Sequence, residues 1–272
     1  MSKAVPLGAL LLGVALASAA SADVTIRVKE TDGLDGKKPS VSTGSMSFNA
    51  DCMATRWEGA EREHGRVIFR GDKQVMWVLN DGKRSYQQLD KAFFDQMGAQ
   101  MTGAQAQMRA SLEKMPPEQR AQAEAMMKKM GGPAAGGAGT ARIEYRKTAE
   151  TRTINGHRCT KYDTYWGKDL VSYAWVAPYS AMKLTASDAA VFEKMAAFVE
   201  KMTSAIGAPQ AQDYSAMHRL GGVPLLTQQV KGGKVTSETL LESVSRGPVP
   251  PGSYDLPAGY KAEPMPGAKR GR

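Results

Sequence analysis

Apolar and polar residues alternate along Val24–Val28, the pattern of a strand with one buried face. A loop carrying Gly, Lys and Pro follows over 32–39, and Ser45–Trp57 reads as further strand with a turn near Asn49-Ala50-Asp51. Arg66–Arg70, Gln74–Leu79 and Ser85–Leu89 then form an antiparallel meander. Gly71-Asp72-Lys73 supplies its first turn and Asn80-Asp81-Gly82-Lys83 its second, where Asp-Gly marks a tight hairpin. A second meander runs through Arg142–Thr153, His157–Trp166 and Leu170–Val176, turned by Asn155-Gly156 and Gly167-Lys168-Asp169. A last hairpin pairs Pro224–Val230 with Val235–Val244 around Lys231-Gly232-Gly233-Lys234.

Between the meanders the period changes. Met97, Met101, Ala104, Met108, Leu112 and Met115 recur at helical spacing on one face, with Gly98 and Gly103 weakening the run. Pro116-Pro117-Glu118 restarts a second helix that carries Met126, Met127 and Met130. After the second meander, Ser187 is the expected cap of a helix with Val191, Met195, Phe198, Met202 and Ile206 along one side. Sequential hairpins imply one antiparallel sheet, and amphipathic helices need a surface for their apolar stripes. The predicted class is therefore α+β, a curved antiparallel β-sheet or half-barrel with the helices packed on its concave face. One domain over 23–260 is expected, with a helical insertion at 90–130, a flexible Gly/Ala linker at 131–140 and a disordered tail at 261–272.

The N-terminus sets the compartment. Lys3, the apolar run Val5–Ala17 and the small-x-small pattern Ala20-Ser21-Ala22 read as a cleavable secretory signal at 1–22, too short to span a bilayer. No Cys follows it to carry a lipid, and the periplasm is the expected destination. One lysine leaves with the signal, so 35 basic residues then face 27 acids, a mature charge of +8. Such a surface suits an anionic membrane. Nucleic acid is not an expected partner, because the basic residues are scattered rather than gathered into arms. Cys52 and Cys159 are the two cysteines, and an isolated pair in an exported chain reads as a disulfide. That bridge would close a loop of about 107 residues, worth nearly 5 kcal/mol in the chain-entropy picture.

Catalytic chemistry does not emerge from the motifs. His64, His157 and His218 stand far apart, and no Gly-x-Ser-x-Gly, phosphate loop or Cys-x-x-Cys is present. Cys159 close to His157 could suggest a thiol enzyme, but a disulfide half is the simpler reading. Glu61 and Glu63 read as surface acids. No catalytic residue, cofactor or metal ligand is assigned. The sixteen methionines are the unusual feature. They fit core packing, a plastic apolar groove for acyl chains or peptides, or thioether ligation of Cu(I).

Val67–Leu89, Ile154–Tyr162 with Ala174-Trp175-Val176-Ala177, the helix start Met115–Arg120, and Leu256-Pro257-Ala258-Gly259-Tyr260 resemble the domain of unknown function 4412 family of exported bacterial proteins. That family is similar in turn to the lipoprotein-carrier superfamily. The resemblance implies a half-barrel whose apolar concavity is lidded by helices and receives lipid chains. The function expected is a non-enzymatic periplasmic binding or envelope-maintenance protein, holding a lipid or an apolar peptide. Met97, Met101, Met108, Leu112, Met195, Phe198 and Met202 are the candidate cavity lining. The alternatives are a filled-core interaction module without a small ligand and, more remotely, Cu(I) binding or a hydrolase. The ligand and the oligomeric state are left open.

Overall fold

A computed structural model describes residues 23–36, 38–59, 65–117, 119–120, 122, 143–205 and 220–263. The expected signal, the linker at 131–140, His64, His218, Glu61, Glu63 and the helix bearing Met126–Met130 lie outside the described residues.

The elements run β1 (Val24–Asp32), β2 (Ser40–Phe48), β3 (Cys52–Gly59), β4 (Gly65–Arg70), β5 (Val75–Asn80) and β6 (Ser85–Leu89), then α1 (Lys91–Glu113). They continue with β7 (Ile143–Ile154), β8 (His157–Trp166), β9 (Asp169–Pro178), α2 (Ala190–Ala205), β10 (Gly222–Lys231), β11 (Lys234–Arg246) and the short β12 (Lys261–Ala262). Among the described residues one sheet holds twelve strands in the order β12-β6-β5-β4-β3-β2-β1-β11-β10-β9-β8-β7. Every pairing is antiparallel except β12 on β6. The two meanders thus form two wings, and the first strand joins β11 in a central seam with Val24 opposite Arg246. At the tip of β7–β8, Asn155 and Gly156 both take positive φ, as a two-residue hairpin turn of this hand requires.

The sheet is strongly rolled. Asn155 Nδ2 donates to the carbonyl of Leu241 on β11 at 2.8 Å. β8 and β11 are three places apart in the sheet, roughly 14 Å if it were flat. A side chain bridges that interval only if the sheet curls over its helix-bearing face. The main core agrees, because residues from ten strands gather with α2 in one cluster. Ten flat strands would span about 43 Å, whereas a helix of 16 residues is about 24 Å long. The architecture is an open, curved antiparallel sheet with α2 on its concave face.

Helix α1 behaves differently. Asp90 caps it, accepting the Phe93 N–H at 2.9 Å, and its first turn buries Phe93 and packs Phe94 against the core. Beyond Gly98 its described side chains are exposed, Leu112 alone being half-buried. The stripe expected to lie on the sheet therefore faces outward over most of its length. The cap expected at Ser187 is also corrected. Thr185 caps a short 3₁₀ turn, Ala186–Ala189, in a reciprocal box with Asp188, and α2 continues from it. Arg246 ties down the same Asp188.

The convex face of the first wing has its own cover. Residues 247–263 run across it as a strap, with Leu256 and Tyr260 packed on Ile68, Val75, Trp77 and Leu79. Asp23 anchors one end: its carboxylate accepts from Tyr254 Oη at 3.0 Å and the Val249 N–H at 3.3 Å, and its carbonyl from the Gly247 N–H. Arg70 bonds Asp255 at 2.6 Å, and Tyr260 donates to Asp81 at 2.7 Å beside Arg66. Lys261 and Glu263 N–H groups then bond the carbonyls of Arg84 and Tyr86. The boundary expected at Tyr260 accordingly falls later, since 261–262 form β12.

Asp81 makes the strap acid-sensitive. Burial by itself would raise its carboxyl, but the hydrogen bonds from Tyr260 and Arg66, with the Arg66 charge, outweigh it and hold the group below its ordinary value. A depressed carboxyl stabilises the fold above the unfolded pKa of about 4 and loses that effect as pH falls through the folded value. Protection of the Lys261 and Glu263 amides, measured against their intrinsic exchange rates, should therefore fall below about pH 4, and in Asp81→Asn it should be low already at neutral pH. Equal protection in the two proteins at neutral pH would refute the anchor.

The expected disulfide is not formed: Cys52 and Cys159 are both buried free thiols. The pleat explains why. Cys52 alternates with Met53, which is in the concave core, and shares its face with Ala54, which packs under the strap. Cys159 belongs to the concave core, fully buried. The two thiols therefore lie on opposite faces of the sheet, six strand places apart, whereas a bridge needs Cα atoms within about 7 Å. Burial pushes both thiols up. Alkylation of the native protein should be slow, and denaturation without reductant should release two reactive thiols; recovery of none would restore the bridge.

Candidate functional site

The concave face divides along the strand direction. At the strand ends carrying Phe48, Met53, Phe69, Ile154, Cys159 and Ala177, helix α2 seals a dry core. Phe192 meets Phe48 edge-on with centroids 5.1 Å apart, and Phe198 meets Phe69 at 5.5 Å. Nothing polar is demanded of α2 on this side, so Val191, Phe192, Met195 and Phe198 fill the curl directly.

Toward the other strand ends the same face is half-buried or exposed. Its floor in the first wing is Val28, Trp57, Val67 and Val78, with Val78 38% exposed. Gly44 makes the floor possible: a Cβ there would stand 2.9 Å from two Trp57 ring carbons and from Val28 Cγ2. The indole thus lies across the glycine in space no other residue would leave. Strand alternation places all four on the concave side, because Met53, Phe69 and Met76 share their parity.

The second wing contributes a polar, aromatic wall. Lys161 Nζ lies 4.3 Å over the Tyr173 ring, bonds Glu150 at 3.0 Å and sits 3.7 Å from Asp163. Arg146 stacks on Tyr165 at 4.1 Å and Arg152 on Trp175 at 5.8 Å. Burial alone would lower the Lys161 ammonium, but the Glu150 hydrogen bond and the charges of Asp163 and Glu150 outweigh it and hold it above its ordinary value. The wall is therefore charged yet close to neutral in sum. The cross-strand row Leu240–Leu226–Trp175–Lys161 connects it to the apolar core.

The seven expected lining residues are not brought together. Met195 and Phe198 are 3% and 2% exposed, inside the sealed core. Met101 and Met108, 40% and 46% exposed, face outward on α1, where Met97 and Leu112 are half-buried. The Met202 side chain lies outside the described set. Trp57, Val78, Lys161 and Tyr173 carry the open half instead, beside the buried Trp175. Each is an inward position of an alternating strand, a signal present in the sequence but shared by every other inward position.

Of two pockets of about 270 and 290 Å³, the first adjoins the floor at Val28 and Gly44 and the second lies apart from it. One is polar, flanked by Arg27, Arg56, Glu58 and Glu242, and the other lies beneath the strap between Asp23, Cys52, Arg70 and Tyr254. Among the described residues no group of three or more His, Cys, Asp or Glu could hold a metal ion. No described helix is long and apolar enough to cross a membrane.

No protein-family model and no curated relative match the chain, so the resemblance to the 4412 family has no family model behind it. Among solved structures the chain is similar to MucB in complex with MucA(peri), at 11% identity and TM-score 0.32 over 87% of this chain and 54% of that one. It is similar to the MucA/MucB complex of Pseudomonas aeruginosa at 10% identity and TM-score 0.34, over 87% and 56%. A LolA superfamily protein from Nitrosomonas europaea matches at 8% and 0.28, over 85% and 89%. The chain spans about half the length of the MucB structures. TM-scores this low carry no argument; the half-barrel rests on the strand pairing and the roll.

Proposed function

We propose that the mature chain is an exported, non-enzymatic binding protein of the periplasm that holds an apolar chain, acyl or peptide, on the open half of its concave face. The observation that carries this reading is the divided concavity. One end is closed by α2, and the other presents an apolar floor beside a polar, aromatic wall, the arrangement of a site for a ligand with one apolar and one polar part. The leader pattern at 1–22 supports export, and the basic mature charge suits approach to an anionic membrane.

A second reading has an observation of its own. Met195 and Phe198 fill the curl so completely that the molecule could act as a filled-core interaction module with no small ligand. Native mass spectrometry of the mature protein from the periplasm, with organic extraction, separates the two. A reproducible adduct carrying an alkyl chain supports the binding protein. A clean apo mass, unchanged after incubation with phosphatidylglycerol vesicles, supports the module.

A further inference from the structure

The polar pocket behind the floor brings together charges that do not pair. Val28 and Gly44 line it and belong to the concave floor. Their strand neighbours Arg27, Thr43, Ser45, Arg56 and Glu58 have the opposite parity and point to the convex face, so the pocket opens there. Arg27, Ser45 and Arg56 stand opposite one another on β1, β2 and β3 as one row. Thr43 and Glu58 belong to the next row on the same face. A bulge supplies the last member. β1 passes from Arg27 opposite Ser243 to Val28 opposite Leu241, which leaves Glu242 without a partner on β1, and Glu242 lines the pocket. Bulges re-aim side chains in this way.

A space of about 270 Å³ is thus bounded by two guanidinium groups, two carboxylates and two hydroxyls. They do not satisfy one another. Among the described residues the side chains of Arg27 and Glu242 make no hydrogen bond or ion pair, and the hydroxyls of Thr43 and Ser45 make no hydrogen bond. Arg56 and Glu58 are 3.9 Å apart, beyond hydrogen-bond reach. Arg66, one strand further along the row, is by contrast held by Asp81 and Tyr260.

A ligand for this space must answer both signs. A phosphate or carboxylate alone would suit Arg27 and Arg56 but face Glu58 and Glu242. A simple amine would do the reverse, and a neutral sugar would leave all four charges without a counter-charge. A molecule with an oxyanion and a primary ammonium a few atoms apart answers both. Its oxyanion accepts from the guanidinium groups and Ser45, and its ammonium donates to the carboxylates.

We infer that this convex pocket binds a small zwitterion, with Arg27 and Arg56 holding the oxyanion and Glu58 and Glu242 the ammonium. The site lies on the other face of the sheet from the proposed chain site and does not depend on it. A phosphoethanolamine headgroup and a free amino acid carry the same pair of charges.

Calorimetric titration of the mature protein provides the test. Glycerophosphoethanolamine should bind about tenfold more tightly than glycerophosphoglycerol, which lacks the ammonium, or ethanolamine, which lacks the oxyanion, since one charge-assisted contact is worth that factor. Arg27→Gln should weaken glycerophosphoethanolamine about tenfold. Glu242→Gln should weaken it as well while glycerophosphoglycerol gains, so that the two ligands converge. Both side chains are exposed, and unchanged melting curves would show the fold intact; if a variant does not fold, the ranking of ligands on the unaltered protein decides. Glycerophosphoglycerol or ethanolamine binding as tightly as glycerophosphoethanolamine overturns the inference. So does an affinity unchanged in either folded variant, or the absence of heat from every ligand at about 10 mM. L-Serine binding more tightly than glycerophosphoethanolamine identifies a free amino acid as the source, and the reverse order a headgroup.

Discussion

Phe198→Ala is expected to destabilise the protein by about 3–5 kcal/mol, the cost of emptying a fully packed aromatic site. Phe198 is 2% exposed on α2 and tilts against Phe69, itself completely buried on β4. The gap cannot collapse easily, since the sheet beneath is held by pairing on both sides and α2 is fixed at its start by Thr185, Asp188 and Arg246. Urea unfolding followed by circular dichroism would show the midpoint falling with an unchanged slope. The control is Met101→Ala on the exposed face of α1, expected to change stability by less than about 0.5 kcal/mol. A loss below about 1 kcal/mol for Phe198→Ala would mean that α2 does not fill the curl.

Gly222→Ala is the other large effect. Gly222 opens β10 opposite Pro178, and an added Cβ would overlap the Ala177 carbonyl oxygen and stand 2.8 Å from Val176 Cγ1. The obstruction is backbone in the sheet, so relief requires β9 and β10 to part rather than a side chain to turn. A cost of about 3 kcal/mol, the upper end for overpacking, is expected. Gly44→Ala should cost less, because its neighbours are the Trp57 and Val28 side chains, which can shift. Comparing the two melting curves checks the ranking; an equal or smaller effect at 222 would remove the argument for a close β9–β10 approach.

Much of the architecture was legible in local pattern. Strands β4–β6 and β7–β11 lie within a residue or two of their expected bounds, because alternation and turn residues act over short range. Helix α1 also falls where its period places it. Its packing was not legible: the Met97–Met115 stripe shows which side of the helix is apolar, not whether anything covers it. The disulfide failed for a related reason. Two cysteines give no information about which face of a sheet each occupies, and one residue of pleat decides it. The strap was invisible because its contacts, such as Asp23 with Tyr254 and Arg66 with Tyr260, join residues far apart in the chain. The open half of the site went unread because Lys161, Tyr173 and Trp175 become neighbours only through cross-strand register.

The central seam has a consequence for how the chain can fold when it is delivered from its N-terminus, as in export. β1 emerges first, yet its outer partner β11 is among the last strands to arrive. Until then the first wing can zip up as a meander, but its inward row of Phe48, Met53, Phe69 and Met76 has neither α2 nor the second wing against it. The half-built molecule must wait with a greasy surface and an unpaired edge along β1, the condition under which β-proteins aggregate. Delivery speed and holding chaperones, rather than the stability of the finished sheet, would then set the yield of folded protein.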